Sequence, residues 1–307
     1  MTADTLRAWV EIDIDAFIHN LGVAKKLTGT KVMAVVKGNA HGHGAVKASL
    51  ALEAHGADAF AVACMSEAIE LREAGIQAPI LVLGWTPAEC ARQLADYGIA
   101  QSVMDEDYAL ELNEAAAAAG KVVDIHAKLD TGMSRTGIFA QENPAEAAQI
   151  VSRIANLPNL NIKGIFTHYA AADMPEKDDF TAWQLSNYKA VLRALETLGF
   201  DKPVVHHTGN SACILNHPET YFDMVRMGVM MYGLYPDGVF PKDGPLKQAL
   251  TLKARVAQVK QLPAGAAISY GCTAVTSRHT KIAVVTAMPA PIREVSVIGE
   301  PTLSSMV

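Results

Sequence analysis

The chain has 307 residues, half of them hydrophobic and only 19% charged, which exceeds the needs of one small domain and allows a sizeable core. A net charge of −6 and a pI near 5.9 argue against a nucleic-acid groove or an anionic membrane surface as the main partner. A small molecule is the expected partner.

The N-terminal MTADTLRAWVEIDIDAF has no apolar signal core, and no uncharged apolar run reaches transmembrane length. Cys64, Cys90, Cys213 and Cys272 are scattered without CxxC spacing or a zinc-type His/Cys cluster. Neither disulfides nor a metal site is expected, and a soluble protein of a reducing cytoplasm fits.

In chain order, short apolar runs alternate with longer amphipathic ones. Strands are predicted at 31–37, 58–63, 79–83, 99–104, 122–128, 162–167, 203–206 and 222–227. Helices are predicted near 44–56, 66–75, 87–97, 106–119, 143–156, 177–199 and 211–217. Thr86-Pro87-Ala88-Glu89 has capping-box spacing with proline at the first helical position, which marks a helix start. Strands alternating with such helices mean βαβ units, and eight of them over roughly 230 residues is the arithmetic of an α/β, (β/α)₈ TIM-type barrel. A doubly wound open sheet is the alternative, but no GxGxxG turn follows the first strand. The Gly/Pro-rich stretch 233–245 then breaks the alternation. Strand-like 250–262 and 281–287 follow, so a barrel over 10–236 and a small β domain over 246–307 are expected, the latter completed by residues 1–9 and the strand 8–13.

Reactive groups of parallel barrels gather where strands end. Here the first strand ends in Lys37, followed by Gly38, His41, Gly42, His43 and Gly44; the third ends in Gly84-Trp85. The fifth runs into Lys128, Asp130 and Arg135, the sixth into His168, the seventh into His207, Asn210 and Ser211, and the eighth carries Arg226, Gly228 and Val229. Lys37 at a buried barrel mouth would be a desolvated amine suited to Schiff-base chemistry, or a lysine that snorkels out. Gly209-Asn210-Ser211 precedes a helix and reads either as a phosphate cradle shared with Gly228 or as a plain N-cap. Arg226, inside the apolar MVRMGVMMYG, needs a buried partner, structural or cofactor. His168 and His207 taken singly read as core or rim histidines as readily as catalysts, and Arg135 as a carboxylate grip or a surface residue.

Together these segments resemble the alanine racemase family of pyridoxal 5′-phosphate (PLP) enzymes. AVVKGNAHGHG is similar to the family's cofactor-lysine signature, and AWVEIDIDAFIHNL, KLDTGMSRTG, THYAAAD, HHTGNSA, VRMGVMMYG and ISYGCT match further segments in order, over roughly residues 8–286. The resemblance implies a barrel followed by a β domain, and an isomerase that interconverts L- and D-alanine for peptidoglycan. Lys37 would carry the cofactor and act as one base. Tyr270 would be the second base, on the opposite face of the substrate, reaching in from the partner of a homodimer. Arg226 would face the pyridine nitrogen and keep it unprotonated, with His207 behind it and His168 near cofactor and Tyr270. Asn210, Ser211, Gly228 and Val229 would surround the cofactor, the last three at its phosphate, with His41 and Trp85 also at the cofactor. Arg135 would meet the substrate carboxylate, and Lys128 is a position some relatives carbamylate. A decarboxylase of this architecture is disfavoured by the arginine at Arg226; a serine racemase or an inactive PLP-binding relative is an alternative.

The chain departs from the family pattern twice. Where the signature has a phosphate-binding tyrosine it has His41, which implies weakened or pH-sensitive cofactor binding. After Thr286 the sequence AMPAPIREVSVIGEPTLSSMV replaces the family's segment resembling GYADGYPR and a longer β domain, which implies a shift of reading frame there. Sequencing of the gene tests that.

Overall fold

The computed structural model describes residues 6–236, 244–286 and 296–297. They divide into two compact units, one spanning Asp13–Ala249 and one built from the chain up to Ile12 and from Leu250 onward.

The larger unit starts with helix α1 (Ile14–Thr28), which the sequence reading did not anticipate. Its signals are nevertheless present: Asp13 Oδ1 accepts the Ala16 N–H at 3.2 Å as N-cap, and Gly29 closes the helix at φ 65°. The alternation follows: β1 (Lys31–Val35), α2 (Ala45–Ala54), β2 (Ala59–Val62), α3 (Met65–Glu73), β3 (Ile80–Val82), α4 (Ala91–Asp96), β4 (Ile99–Val103), α5 (Glu106–Ala119), β5 (Val123–Asp130), a short β6 (Ile138–Phe139), α6 (Pro144–Ala155), β7 (Leu160–Phe166), α7 (Asp178–Thr197), β8 (Val205–His207), α8 (Ser211–Asn216) and β9 (Met224–Met227). Eight strands pair in parallel in the order β9–β1–β2–β3–β4–β5–β7–β8, with β6 appended to β5. Across the remaining seam, the Asp223 N–H donates to the His206 carbonyl at 3.1 Å and the Arg226 N–H to the Gly209 carbonyl at 2.8 Å. The result is a nearly closed (β/α)₈ barrel.

Its strands are apolar on both faces because helices cover the outside and side chains fill the inside. Met33, Val35, Ala59, Ala61, Leu81, Ala100 and Met224 form the interior cluster. Each large apolar side chain buried this way contributes about 1.5–3 kcal/mol. Helix α5 is capped by Asp105, whose carboxylate accepts the Tyr108 N–H, and ends at Gly120 in the left-handed region; α6 starts with Asn143 as cap and Pro144 at its first position.

The expected capping box at Thr86–Glu89 does not form. Pro87 has ψ 136°, a 3₁₀ turn spans Ala88–Cys90, and the α-helix begins only at Ala91. The Thr86 hydroxyl is turned inward and caps nothing, and the Tyr108 hydroxyl takes the Thr86 carbonyl at 2.7 Å.

In the smaller unit, Ala8–Ile12 pairs antiparallel with Leu250–Ala254, Ala8 opposite Ala254. The run expected as one strand at 250–262 is divided at Arg255, and its second half, Val256–Leu262, pairs with Thr280–Val285, which pairs in turn with Ser296–Val297. Apart from that pair, the sequence from Ala287, where a shift of reading frame is expected, lies outside the described residues. The four cysteines are unpaired, and among the described residues no helix is long and apolar enough to cross a membrane.

Candidate active site

A cavity of about 630 Å³ opens where the barrel strands end. Lys37, His41, Trp85, Lys128, Arg135 and His168 line it, as do Asn210, Ser211, Arg226, Gly228 and Val229. These residues come from six separate segments, so the barrel brings together what the chain scatters. Of the remaining expected residues, His207 is fully buried behind Arg226, and Tyr270 belongs to the smaller unit, where its side chain is 98% exposed.

Lys37 is exposed to this cavity, which follows the second of its two readings, a lysine that snorkels out of the strand end, rather than an amine desolvated in the barrel mouth. Among the described residues it makes no hydrogen bond or ion pair. The segment after it turns the wrong way for L-residues: Gly38, Asn39, Ala40 and His41 all have φ between 51° and 65°, and Gly42 follows at 87°. Left-handed helical backbone costs about 1–2 kcal/mol per non-glycine residue, so three such residues need support. Glu67, in the first turn of α3, supplies it. One carboxylate oxygen accepts the Gly38 N–H at 2.6 Å and the Asn39 N–H at 3.4 Å, and the other accepts the Ala63 N–H at 2.8 Å. The Asn39 side chain accepts the Ala45 N–H at 2.8 Å and joins the turn to α2. Replacing Glu67 by alanine returns these exposed amides to water, so the variant is expected to lose about 0.5–1.5 kcal/mol of stability. Denaturant unfolding with hydrogen exchange at Gly38 and Asn39 measures it, and unchanged values there would refute this support.

Arg226 is the buried centre of the site. Its guanidinium donates to the carbonyls of His207 at 2.5 Å, Thr167 at 2.7 Å and Thr208 at 3.1 Å, and to Nδ1 of His207 and of His168 at 3.2 and 3.1 Å. No carboxylate is among these partners. Since a guanidinium only donates, both Nδ1 atoms must accept, which puts the proton of each neutral ring on Nε2. His207 Nε2 then donates to His126 Nδ1 at 2.8 Å. Phe166 stacks on His207, and a Cβ at Gly164 would collide with the His126 ring. Burial, then Arg226, holds His126 down to about 4 and His168 to about 3, and burial with His126 keeps His207 well below its ordinary value. Burial lowers Arg226 itself to about 10, which leaves it charged at neutral pH.

Unfolding returns these imidazoles to about 6.5. Below that pH the unfolded chain binds more protons, so the stability contributed by the neutral rings is full above about pH 6.5 and is lost as pH falls toward 4. His126 alone accounts for on the order of 3 kcal/mol. Urea unfolding at pH 7.5, 6 and 5 should show a falling unfolding free energy; a flat profile would contradict the neutral histidine chain.

Lys128 is buried, its amine donates to the Thr136 hydroxyl at 2.5 Å, and burial followed by Arg135 lowers it to about 8. Arg135 is exposed and, among the described residues, has no acidic partner. Asn210 caps α8, accepting the Cys213 N–H at 3.1 Å, as the plain N-cap reading has it, and it also lines the cavity. The Ser211 hydroxyl accepts the N–H groups of Gly228 and Met230 at 2.9 and 3.3 Å, which ties the ends of the seventh and eighth barrel strands together and leaves its own proton to donate. The sequence reading missed Glu67, which no motif marks, and Tyr232, which stands inside the quoted VRMGVMMYG.

Among the described residues the wall therefore carries the cationic or imidazole groups Lys37, His41, Lys128, Arg135, His168 and Arg226 against the single carboxylate of Asp173. In a chain of net charge −6, that concentration is built for an anionic ligand.

Comparison with known proteins agrees with this geometry. The profile described as "Alanine racemase, N-terminal domain" matches residues 12–236, and that described as "Alanine racemase, C-terminal domain" matches 249–287. An alanine racemase of Desulfosudis oleivorans is 44% identical over 288 residues, covering 91% of this chain and 73% of the relative. The solved alanine racemase of Streptomyces coelicolor superposes with a TM-score of 0.82 at 33% identity, covering 92% of this chain and 75% of that one. A histidine racemase of Leuconostoc mesenteroides superposes at 0.76 with 29% identity, over 92% of this chain and 75% of its own.

Proposed function

Because the chain belongs to the alanine racemase family, we propose that it interconverts L- and D-alanine with PLP as cofactor, working in the cytoplasm as a homodimer that supplies D-alanine for peptidoglycan. The observation that carries this reading is Lys37: a primary amine without a partner among the described residues, held by a left-handed turn in a cavity of cationic character.

The residues fit a phosphorylated pyridine aldehyde. An unpaired amine suits the aldehyde. The Ser211 hydroxyl proton and the backbone at Val229 suit the phosphate, Gly228 giving its own N–H to Ser211 and leaving the approach clear of a side chain, and Asn210 and Trp85 suit the cofactor's flanks. Arg226, a permanent donor with only neutral acceptors around it, suits the lone pair of a pyridine nitrogen and opposes its protonation. When bound, PLP supplies the electron sink that acidifies the substrate's Cα–H bond.

The chain's own residues divide the remaining work. Arg135 pairs with the substrate carboxylate. Lys37 Nζ takes the α-proton from one face, and Tyr270 Oη of a second copy returns a proton to the other, which inverts the centre; the reverse reaction exchanges their roles. His168, neutral with its proton on Nε2, donates into the cavity, and His207 holds Arg226 from behind.

Formation of D-alanine from L-alanine by the purified chain with added PLP tests the reading, with L-serine and L-histidine run in parallel. Turnover of alanine is expected. A folded, PLP-loaded chain that turns over none of the three would overturn it, and preference for histidine would keep the racemase and change its substrate.

A further inference from the structure

His41 lines the cavity, and its hydrogen bonding decides which ring nitrogen donates and which accepts. Its Nδ1 lies 2.9 Å from the Tyr232 hydroxyl, and that hydroxyl lies 3.0 Å from the Val35 carbonyl. A carbonyl only accepts, so the single proton of Tyr232 goes to Val35, and the phenol oxygen must accept from His41 Nδ1–H. The neutral ring therefore has its proton on Nδ1 and a bare lone pair on Nε2. Nε2 has no partner among the described residues, and His41 lines the cavity.

The arrangement is held rigidly. Tyr232 is buried, meets the His41 ring edge-on at 5.0 Å, lies 4.5 Å from His43, and rests on Phe17 of α1 at 5.6 Å. His41 itself sits on the left-handed turn fixed by Glu67. A phosphate dianion has only acceptors to offer a side chain, so it is repelled by a lone pair and held by an N–H.

We infer that Tyr232 makes His41 a proton-gated phosphate clamp: neutral His41 turns an acceptor toward a phosphate monoester, and only the protonated ring donates to it. The inference rests on the proposed PLP site and adds to it a linkage between cofactor affinity and pH. The groups facing His41 set the window. Partial burial, then Lys37 and His43, lower its proton affinity before the anion arrives, while Glu67 raises it. A bound phosphate raises it further. Binding thus takes up a proton across the pH range between the free and bound values, and within it PLP affinity falls by up to about tenfold per pH unit as pH rises.

Calorimetric titration of the whole chain with PLP, in buffers of different ionisation enthalpy at pH 7–8.5, measures the protons taken up. The reference is His41→Gln, which presents an N–H where Nε2 stands and does not titrate; ionisations of PLP and Lys37 cancel in the difference. The wild-type chain should take up measurably more protons than this variant, the excess shrinking as pH rises past the bound value. Tyr232→Phe frees the other tautomer and should bind PLP more tightly than wild type at pH 8.5, with a shallower pH slope. Nitrogen-15 spectra of the unliganded wild-type chain, which need no variant, should show His41 protonated on Nδ1. PLP binding with equal proton uptake in wild type and His41→Gln, or an Nε2–H tautomer, would overturn the clamp alone. A chain that does not bind PLP would overturn the proposed function and the clamp with it.

Discussion

Lys37→Ala is expected to lower racemisation by roughly 10³-fold or more, since it removes both the cofactor's attachment and one of two proton-transfer groups. Stability should barely change. The Lys37 side chain is exposed, and among the described residues it has neither hydrogen bond nor ion pair, so its loss leaves no cavity and no orphaned polar group. The two readouts are therefore separable. D-alanine formation should vanish and borohydride should no longer fix PLP to the chain, while the thermal midpoint stays within a degree or two of wild type. Near-normal turnover in this variant would show that another amine does the chemistry and would remove the basis of the proposed function. A collapse of the thermal midpoint would show instead that Lys37 supports the left-handed turn after it.

What the sequence made legible follows from where its information is local. Barrel strands are continuous apolar runs bounded by polar or glycine residues, so β2 and β4 fall within a residue of their expected limits, and α5 between Asp105 and Gly120 matches its limits at both ends. The cavity wall was legible because polar residues closing such runs stand out. The failures lie where tertiary contacts overrule a local pattern. Thr86-Pro87-Ala88-Glu89 has the spacing of a capping box, yet the Tyr108 hydroxyl draws the Thr86 carbonyl inward and Pro87 stays extended. Of Asn39-Ala40-His41, Asn39 and His41 tolerate positive φ better than most residues but Ala40 does not, and the turn depends on Glu67, 28 residues on from Asn39. The pairing of His41 with Tyr232 spans 191 residues and has no local signature. Helix α1 was overlooked although Asp13 and Gly29 mark its ends, because its first residues continue the strand-like texture of WVEIDI.

The proposed sharing of active sites makes a quantitative prediction. Tyr270 is 98% exposed in the smaller unit, as a residue that completes another copy's site must be before that copy is in place. Tyr270→Phe and Lys37→Ala should each be inactive alone, the first lacking one proton-transfer group and the second the other. Mixed in equal amounts and allowed to exchange, half of the dimers carry one of each copy. In every such dimer one site has both defects and the other has neither, so the mixture should recover about a quarter of wild-type activity. If Tyr270 instead acted within its own chain, each site of the mixed dimer would keep one defect and nothing would be recovered. Steady-state D-alanine formation after incubation of the two variants decides it: recovery shows that Lys37 and Tyr270 of different copies form one site, and absence of recovery despite demonstrated subunit exchange removes Tyr270 from the partner's site.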